Sequence, residues 1–501
     1  MALSAPGRPA AKAGFRPTEE QQTIIDAYLE GRPLVVEALA GTGKTTTLKS
    51  IAAATPQRTG TYLAFNKAIV TEAEGSFPGR VNVTTAHALA YKAVGHAYGH
   101  RLPGNPGQTR MSAQRMAGIL RVKPADVGGA MINPVILTRL AQGTVSRFIK
   151  SPDREIGAHH LPGRLPMALA AADIEAWALA SLVLPIARRI WADQQSTNGR
   201  FTFTHDHYLK IWQLSNPVLP TDYIMFDEAQ DADPVIASIV DRQACQRIYV
   251  GDQNQAIYGW RGAVDAMGQV RNATRLPLTR SFRFGPAVAE LANEWLYALG
   301  SPLRVVGHDP ILSRIEKLDA ARAILCRTNG TALGWVIAFQ ERGVKVALAP
   351  GDRSAGKDIS QFAWAARDLM AGKGTDHPDL AMFESWDQLL AFIDEEEDTA
   401  DLKRLVNIIN RVGVNAVINA IKNLTPEASA EVTVSTAHKA KGLEWDSVRV
   451  ADDFAPPEYD DPDDRPTEEE LAADRMLAYV TVTRAKLQLD PGALAEPILW
   501  R

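Results

Sequence analysis

The sequence predicts an α/β fold of two parallel-sheet domains, each interrupted by a mainly helical insertion. Three observations carry this. Short apolar runs alternate with helical stretches twice along the chain; a glycine-rich turn joins one such run to a helix; and two blocks, 93–200 and 351–429, turn helical instead. At 501 residues, 46% hydrophobic and 22% charged, the chain can bury several cores and should form two to four domains.

Residues 1–14, rich in Ala, Pro and Gly with Arg8 and Lys12, read as a flexible basic arm. The first α/β domain is expected over 15–92 and 201–276, with strands at Leu34–Ala38, 61–65, 81–85, Tyr223–Phe226 and 248–250. The second is expected over 277–350 and 430–501, with strands at Ala323–Cys326, 344–348, 432–435 and 448–450. The insertion 93–200 is helical, for example over 168–190, and basic: residues 101–200 hold 13 Arg and Lys against 6 Asp and Glu. The insertion 351–429 is helical and acidic, with 8 against 14 over 351–430, so only the first suits a phosphate backbone by overall charge.

No apolar run approaches the roughly 18–20 residues of a membrane span, and the N-terminus lacks a secretory core. The expectation is a soluble protein that contacts no membrane, cytoplasmic, or nuclear in a eukaryotic host. Cys245 and Cys326 stand apart without CxxC spacing, which predicts free buried thiols rather than structural zinc or a disulfide. A net charge of -4 argues against coating nucleic acid through overall positive charge but leaves room for a local basic groove.

The strongest local signal is Ala38-Leu-Ala-Gly41-Thr-Gly43-Lys44-Thr45, between a strand and a helix. Gly41 and Gly43 let backbone N–H groups converge on phosphate oxygens, Lys44 neutralises β and γ phosphates, and the Thr45 hydroxyl can hold Mg²⁺. Ala40, Gly41, Thr42, Gly43, Lys44, Thr45 and Thr46 form the expected ATP-contacting set. Ala38 stands where the strict pattern has Gly. The partner is Tyr223-Ile-Met-Phe226-Asp227-Glu228-Ala-Gln230-Asp231, an apolar strand ending in two carboxylates. Asp227 would hold the metal and Glu228 would orient or deprotonate the attacking water. Alone, such a pair is also what a solvated loop looks like; beside the phosphate loop it reads as catalytic.

Further motifs follow in order: Thr18-Glu-Glu-Gln21-Gln22, Leu63-Ala-Phe65-Asn66-Lys67, Val83-Thr84-Thr85-Ala-His87, Thr204-His-Asp-His207-Tyr208, Val250-Gly-Asp252-Gln-Asn-Gln255-Ala-Ile-Tyr258-Gly-Trp260, Leu278-Thr-Arg280-Ser-Phe282-Arg283, Thr436-Ala-His438-Lys-Ala-Lys441-Gly442-Leu-Glu444 and Tyr479-Val-Thr-Val-Thr483-Arg484. Together they resemble the UvrD/Rep type of superfamily 1 helicase across residues 15–490, and more closely the helicase region of F-box DNA helicases with their phage and bacterial relatives. The Thr204 segment resembles one found in the F-box subgroup.

The resemblance implies two RecA-like P-loop NTPase domains and an ATP-dependent, Mg²⁺-using DNA helicase moving 3' to 5'. By position it assigns adenine reading to Gln21, γ-phosphate sensing to Gln255, adenine packing to Phe282, γ-phosphate contact to Arg283 and Arg484, and ribose contact to Glu444. It assigns DNA contact to Phe65, Asn66, Thr85, His87, Tyr258, Trp260 and His438. On residue type alone, Trp260 and Phe65 could equally be core, and His87 and His438 could be helix caps. Relatives often carry Arg where Thr46 stands, and an acidic pair where Ala473-Asp474 stands. The expected partners are single-stranded DNA and single-strand/duplex junctions, with recombination or replication proteins as further candidates, and a monomer is expected. Two alternatives are a translocase that strips proteins from single strands with little unwinding, and a catalytically silent DNA-binding or scaffold subunit.

Overall fold

The computed structural model describes residues 16–103, 111–127, 130–162, 175–259, 262–349, 356–375, 377, 380, 383, 385–395, 400–456 and 465–500. The expected arm 1–14 and Trp260 lie outside them. The chain divides into two compact units. The first holds residues up to Glu37, Lys44–Gln253 and Tyr258–Leu276; the second holds Ala38–Gly43, Asn254–Ile257 and the chain from Pro277 onward. Segments 38–43 and 254–257, placed in the first domain by linear reading, therefore group with the second.

In the first unit, α1 (Glu19–Leu29) starts from a reciprocal cap: Thr18 Oγ1 accepts from the Gln21 N–H, and Gln21 Oε1 accepts from the Thr18 N–H. There follow β1 (Leu34–Ala38), α2 (Lys44–Ala54), β2 (Gly60–Leu63), α3 (Lys67–Ala73), β3 (Val81–Thr84) and α4 (Ala86–Ala93). The first insertion carries α5 (Ala113–Leu120), β4 (Ala125–Val127), β5 (Ala130–Ile132), α6 (Pro134–Ile149) and α7 (Ala176–Gln195), and α8 (His205–Leu214) follows it. Then come β6 (Tyr223–Phe226), α9 (Pro234–Asp241), β7 (Gln246–Gly251), α10 (Ala266–Gln269) and β8 (Thr274–Leu278).

The sheet runs β3-β2-β6-β7-β1-β8, and β3, β2, β6, β7 and β1 pair in parallel. β2 and β6 are buried throughout, as strands covered on both faces must be. Register sets the site. Leu63 pairs with Thr84 and Phe226, Phe226 with Tyr249, and Glu37 with Gly251. The C-terminal ends of five strands thus finish on one edge, where open α/β sheets bind ligands. β8 carries Pro277 and ends the order, the place a sheet tolerates proline.

The first insertion is not purely helical: β4 and β5 form a small antiparallel ribbon. Its core gathers Leu137, Phe148, Val183, Ile190 and Trp191. A separate cluster with Ala90, Tyr98, Phe203, Tyr208 and Trp212 joins α4 to α8.

The second unit contains α11 (Pro286–Ala298), β9 (Arg314–Ile315), β10 (Ala323–Cys326), α12 (Asn329–Glu341), β11 (Val346–Leu348), α13 (Lys357–Met370), α14 (Trp386–Glu395), α15 (Ala400–Val412), α16 (Val414–Lys422), β12 (Val432–Thr436), α17 (Ala437–Ala440), β13 (Trp445–Val450), α18 (Glu468–Val482) and β14 (Ala485–Asp490). Its sheet, β11-β12-β10-β13-β14-β9, is parallel at every pairing. The second insertion shares its host's core: Phe362, Leu389, Val406 and Val417 cluster with Ile324, Leu333 and Val434. Cys326 is buried and Cys245 only partly so, both as free thiols. No described helix is long and apolar enough to cross a membrane.

Candidate functional site

The phosphate loop needs a backbone that only glycine adopts cheaply: Gly41 and Gly43 sit at φ +74° and +79°. Thr42 is buried, and both its Oγ1–H and its N–H donate to the Leu39 carbonyl, so it holds the loop. In the first unit Lys44, Thr45 and Thr46 open α2, where unpaired N–H groups favour an anion.

Lys44 Nζ donates to Glu228 Oε1 at 2.6 Å. Burial alone would weaken this ammonium, yet Glu228 and Asp227 lie close enough to raise its pKa above the usual lysine value. Asp227 is buried; Tyr62 donates to its Oδ2 at 2.6 Å and the Glu228 N–H to its Oδ1 at 3.0 Å. Burial, reinforced by Glu228, raises the Asp227 carboxyl above its usual range. Glu228 itself holds φ +52°, a left-handed backbone costing a non-glycine residue about 1–3 kcal/mol and concentrated at functional sites. Gln230 Nε2 donates to Glu228 Oε2 at 2.6 Å and to Asp231 Oδ2 at 3.1 Å, while its Oε1 accepts from the Asp252 N–H. Thr45 and Asp227 each offer oxygen donors, the kind a hard cation such as Mg²⁺ takes.

On the same strand ends, Phe65 and Tyr258 stack with ring centroids 6.0 Å apart and planes 13° from parallel. Phe65 is 49% exposed, which favours a stacking platform over a core residue. A cavity of about 420 Å³ is lined by Phe65, Thr85, His87, Asp206, Tyr258 and Glu228. His87 Nε2 lies 3.5 Å from Asp206 Oδ1, and their hydrogen bond holds the Asp206 carboxyl below its usual range. Asn66 and Thr85 spend their side chains capping α3 and α4, accepting from the Ile69 and Ala88 N–H groups.

In the second unit, Arg283 and Arg484 are held differently. Arg283 Nε donates to Glu444 Oε2 at 2.7 Å and its Nη1 to the Thr483 carbonyl. Arg484 is 1% exposed and donates to the Val480 carbonyl, Thr483 Oγ1, the Leu443 carbonyl and, at 3.5 Å, Gln255 Oε1. The Phe282 N–H donates to the Gly41 carbonyl, leaving a ring 42% exposed beside His308. A side chain at Gly41 would meet Arg283 Cβ and Ser281 Oγ at 2.6 Å. Asp474 pairs with Arg327 at 2.8 Å, the polar support for the last motif. His438 lies on α17.

Sequence reasoning named Lys44, Asp227 and Glu228, which the first unit brings together, and Arg283, Glu444, Gln255 and Arg484, which the second does. Gln21 serves the α1 cap with its side-chain oxygen. Tyr62, Asp206 and Gln230 were missed; only Asp206 and Gln230 lay inside quoted motifs. Among the described residues one metal-type group occurs: Asp153, His159 and His160. There the Gly157 N–H donates to His160 Nδ1, which leaves the proton on Nε2, 3.0 Å from Asp153 Oδ2.

Family models match two stretches of the chain: the UvrD/REP helicase N-terminal domain over residues 218–270 and the UvrD-like helicase C-terminal domain over 361–490. F-box DNA helicase 1 of Gallus gallus is 29% identical over 96% of this chain and 49% of its own length. F-box DNA helicase protein 1 of Schizosaccharomyces pombe is 29% identical over 94% and 57%. The ATP-dependent DNA helicase UvrD2 of Mycobacterium bovis is 28% identical over 52% and 46%. The chain thus spans about half the length of the curated relatives it matches.

Proposed function

We propose that this chain, which carries the UvrD-like N- and C-terminal helicase domains, is an ATP-dependent DNA helicase that translocates along a single strand, 3' to 5', and opens duplex ahead of it. The observation that carries this reading is a shared cavity: the carboxylate suited to activate water, Glu228, and the rings suited to stack on bases, Phe65 and Tyr258, line the same space. A base entering the cavity would meet the hydrolytic carboxylate's surroundings directly, which supports DNA-dependent hydrolysis.

Lys44 and Glu228 neutralise each other. A γ phosphate would draw Lys44 away and leave the Glu228 carboxylate to accept a proton from the attacking water. Mg²⁺ held by Thr45 and Asp227 would supply charge neutralisation to the β and γ oxygens. Arg283 and Arg484 supply the cationic groups that phosphoryl transfer uses to stabilise its transition state. Stacking tolerates any base, so movement along DNA is sequence-independent.

The intact set Lys44, Glu228, Gln255, Arg283 and Arg484 disfavours a silent scaffold. The compact second insertion, which shares its host's core, keeps a protein-stripping translocase as the second reading. Strand displacement on duplexes with 3' or 5' tails, run beside displacement of a protein bound to single strands, separates them. Unwinding of the 3'-tailed duplex alone is the expected result. ATP-driven protein displacement without unwinding selects the second reading, and neither activity rejects both.

A further inference from the structure

In the second unit, α12 and α15 run together because Gly330 has no side chain: a Cβ there would meet Arg404 Cβ at 2.7 Å. Between them opens a groove of about 550 Å³. From α12 it takes Gly334, Trp335 and Arg342, and from α15 Arg404, Asn407 and Arg411, the last three at one-face helical spacing. Three arginines and no carboxylate line it among the described residues. Two of them, Arg404 and Arg411, come from an insertion whose overall balance is acidic. Arg342 and Arg411 are exposed, whereas Arg404 is partly engaged by Asp453 at 3.6 Å and by Thr328.

The groove continues a motif already assigned to DNA. Its near end, Gly330 and Thr331, directly follows Asn329, whose Oδ1 accepts from Lys439 Nζ at 3.3 Å, and Lys439 neighbours His438. From there α12 extends about 18 Å to Arg342, and Arg404 and Arg411 stand about 10.5 Å apart along α15. That second distance covers roughly three phosphates of one B-form strand at ~3.4 Å each. Trp335 is only partly exposed, its ring stacked on Phe339 at 5.4 Å with Arg449 over it at 5.6 Å, so it forms a floor and not a base platform.

We infer that the α12–α15 groove is a second DNA contact, a track for backbone phosphates that extends the His438–Lys439 motif and is read by Arg342 and Arg411. This rests on the DNA-binding reading above. Guanidinium groups suit phosphate through paired hydrogen bonds, and backbone contact fixes position without sequence preference.

The test uses the full chain and Arg342→Gln/Arg411→Gln, with Arg342→Lys/Arg411→Lys as the charge-preserving control. Binding is read by anisotropy with labelled oligothymidylates of increasing length and a tailed duplex, across a salt series. Wild type should gain affinity with length. The glutamine variant should match it on the shortest oligomers, lose the gain on longer ones, and show a salt slope shallower by about 1.4, from ~0.7 per phosphate contact on single strands. The lysine control should recover most of the slope. If length dependence and slope equal those of wild type, the groove assignment is wrong while DNA binding stands. Loss confined to a polyglutamate peptide, with DNA binding untouched, likewise overturns it in favour of an acidic protein segment. Should wild type bind no DNA at all, the function proposed above falls with it.

Discussion

The two parallel sheets present opposite chemistry. The first unit gathers carboxylates around one lysine: Asp227 and Glu228 beside Lys44, with Tyr62 and Gln230 fixing their oxygens. The second gathers guanidinium groups and satisfies them with carbonyls and a single carboxylate, Glu444. The difference teaches which half can do what. Under the proposed function, metal holding and water activation would fall to the acidic set and transition-state charge stabilisation to the cationic set. Within the cationic set there is a second contrast, since Arg283 is tied by a partly exposed ion pair and Arg484 is locked in the interior.

Several substitutions would break or sharpen this division. The largest effect is expected at Arg283: replacing it with Ala should cut DNA-stimulated ATP turnover by about 10³–10⁵ while leaving thermal stability nearly unchanged. Steady-state ATPase with a melting curve checks both halves. Glu228→Gln should lower turnover by about 10²–10⁴ and leave nucleotide binding intact, measured by titration of a fluorescent analogue; near-normal turnover would remove Glu228 from the chemistry. Arg484→Ala should differ from Arg283→Ala by also destabilising the fold. The Leu443 carbonyl would lose a donor, costing about 1–3 kcal/mol, while the Val480 carbonyl keeps Thr483 Oγ1–H; the loss is read as a falling denaturation midpoint.

A smaller effect concerns Glu37, on β1. Burial and the neighbouring Asp252 push its carboxyl up to about 8, and its Oε2 has no hydrogen-bond partner. A folded-state pKa above the unfolded value of 4.5 gives stability that is full below that value and lost as pH rises through about 8. Glu37→Gln should therefore gain on wild type between pH 5 and 8.5, by on the order of a few kcal/mol at most. Parallel denaturation midpoints across that range would contradict the shift.

Much of the fold was legible because continuous apolar runs such as Tyr223–Phe226 and Ala323–Cys326 have no reading in a water-facing loop. What escaped were elements whose sequence denies their state. Strand β8 carries a proline, tolerable only because it ends the sheet order, and β4 and β5 are three residues each, too short for periodicity. In the site, residue types and order were readable but partners were not. Lys44 and Glu228 are 184 positions apart and Tyr62 and Asp227 are 165, separations closed only by strand order and register. Asp206 reaches the cavity lined by Phe65 and Tyr258 from α8, a placement set by how α8 packs on α4.

The central claim is that base stacking and water activation share one cavity, and Phe65→Ala tests it most directly. The quantity is the ratio of ATP turnover with saturating single-stranded DNA to turnover without it, for wild type and variant side by side. Losing one stacking face, about 1–3 kcal/mol per base, should collapse a ratio that is large in wild type. A ratio unchanged by the substitution, or a wild type that DNA does not stimulate, would contradict the account.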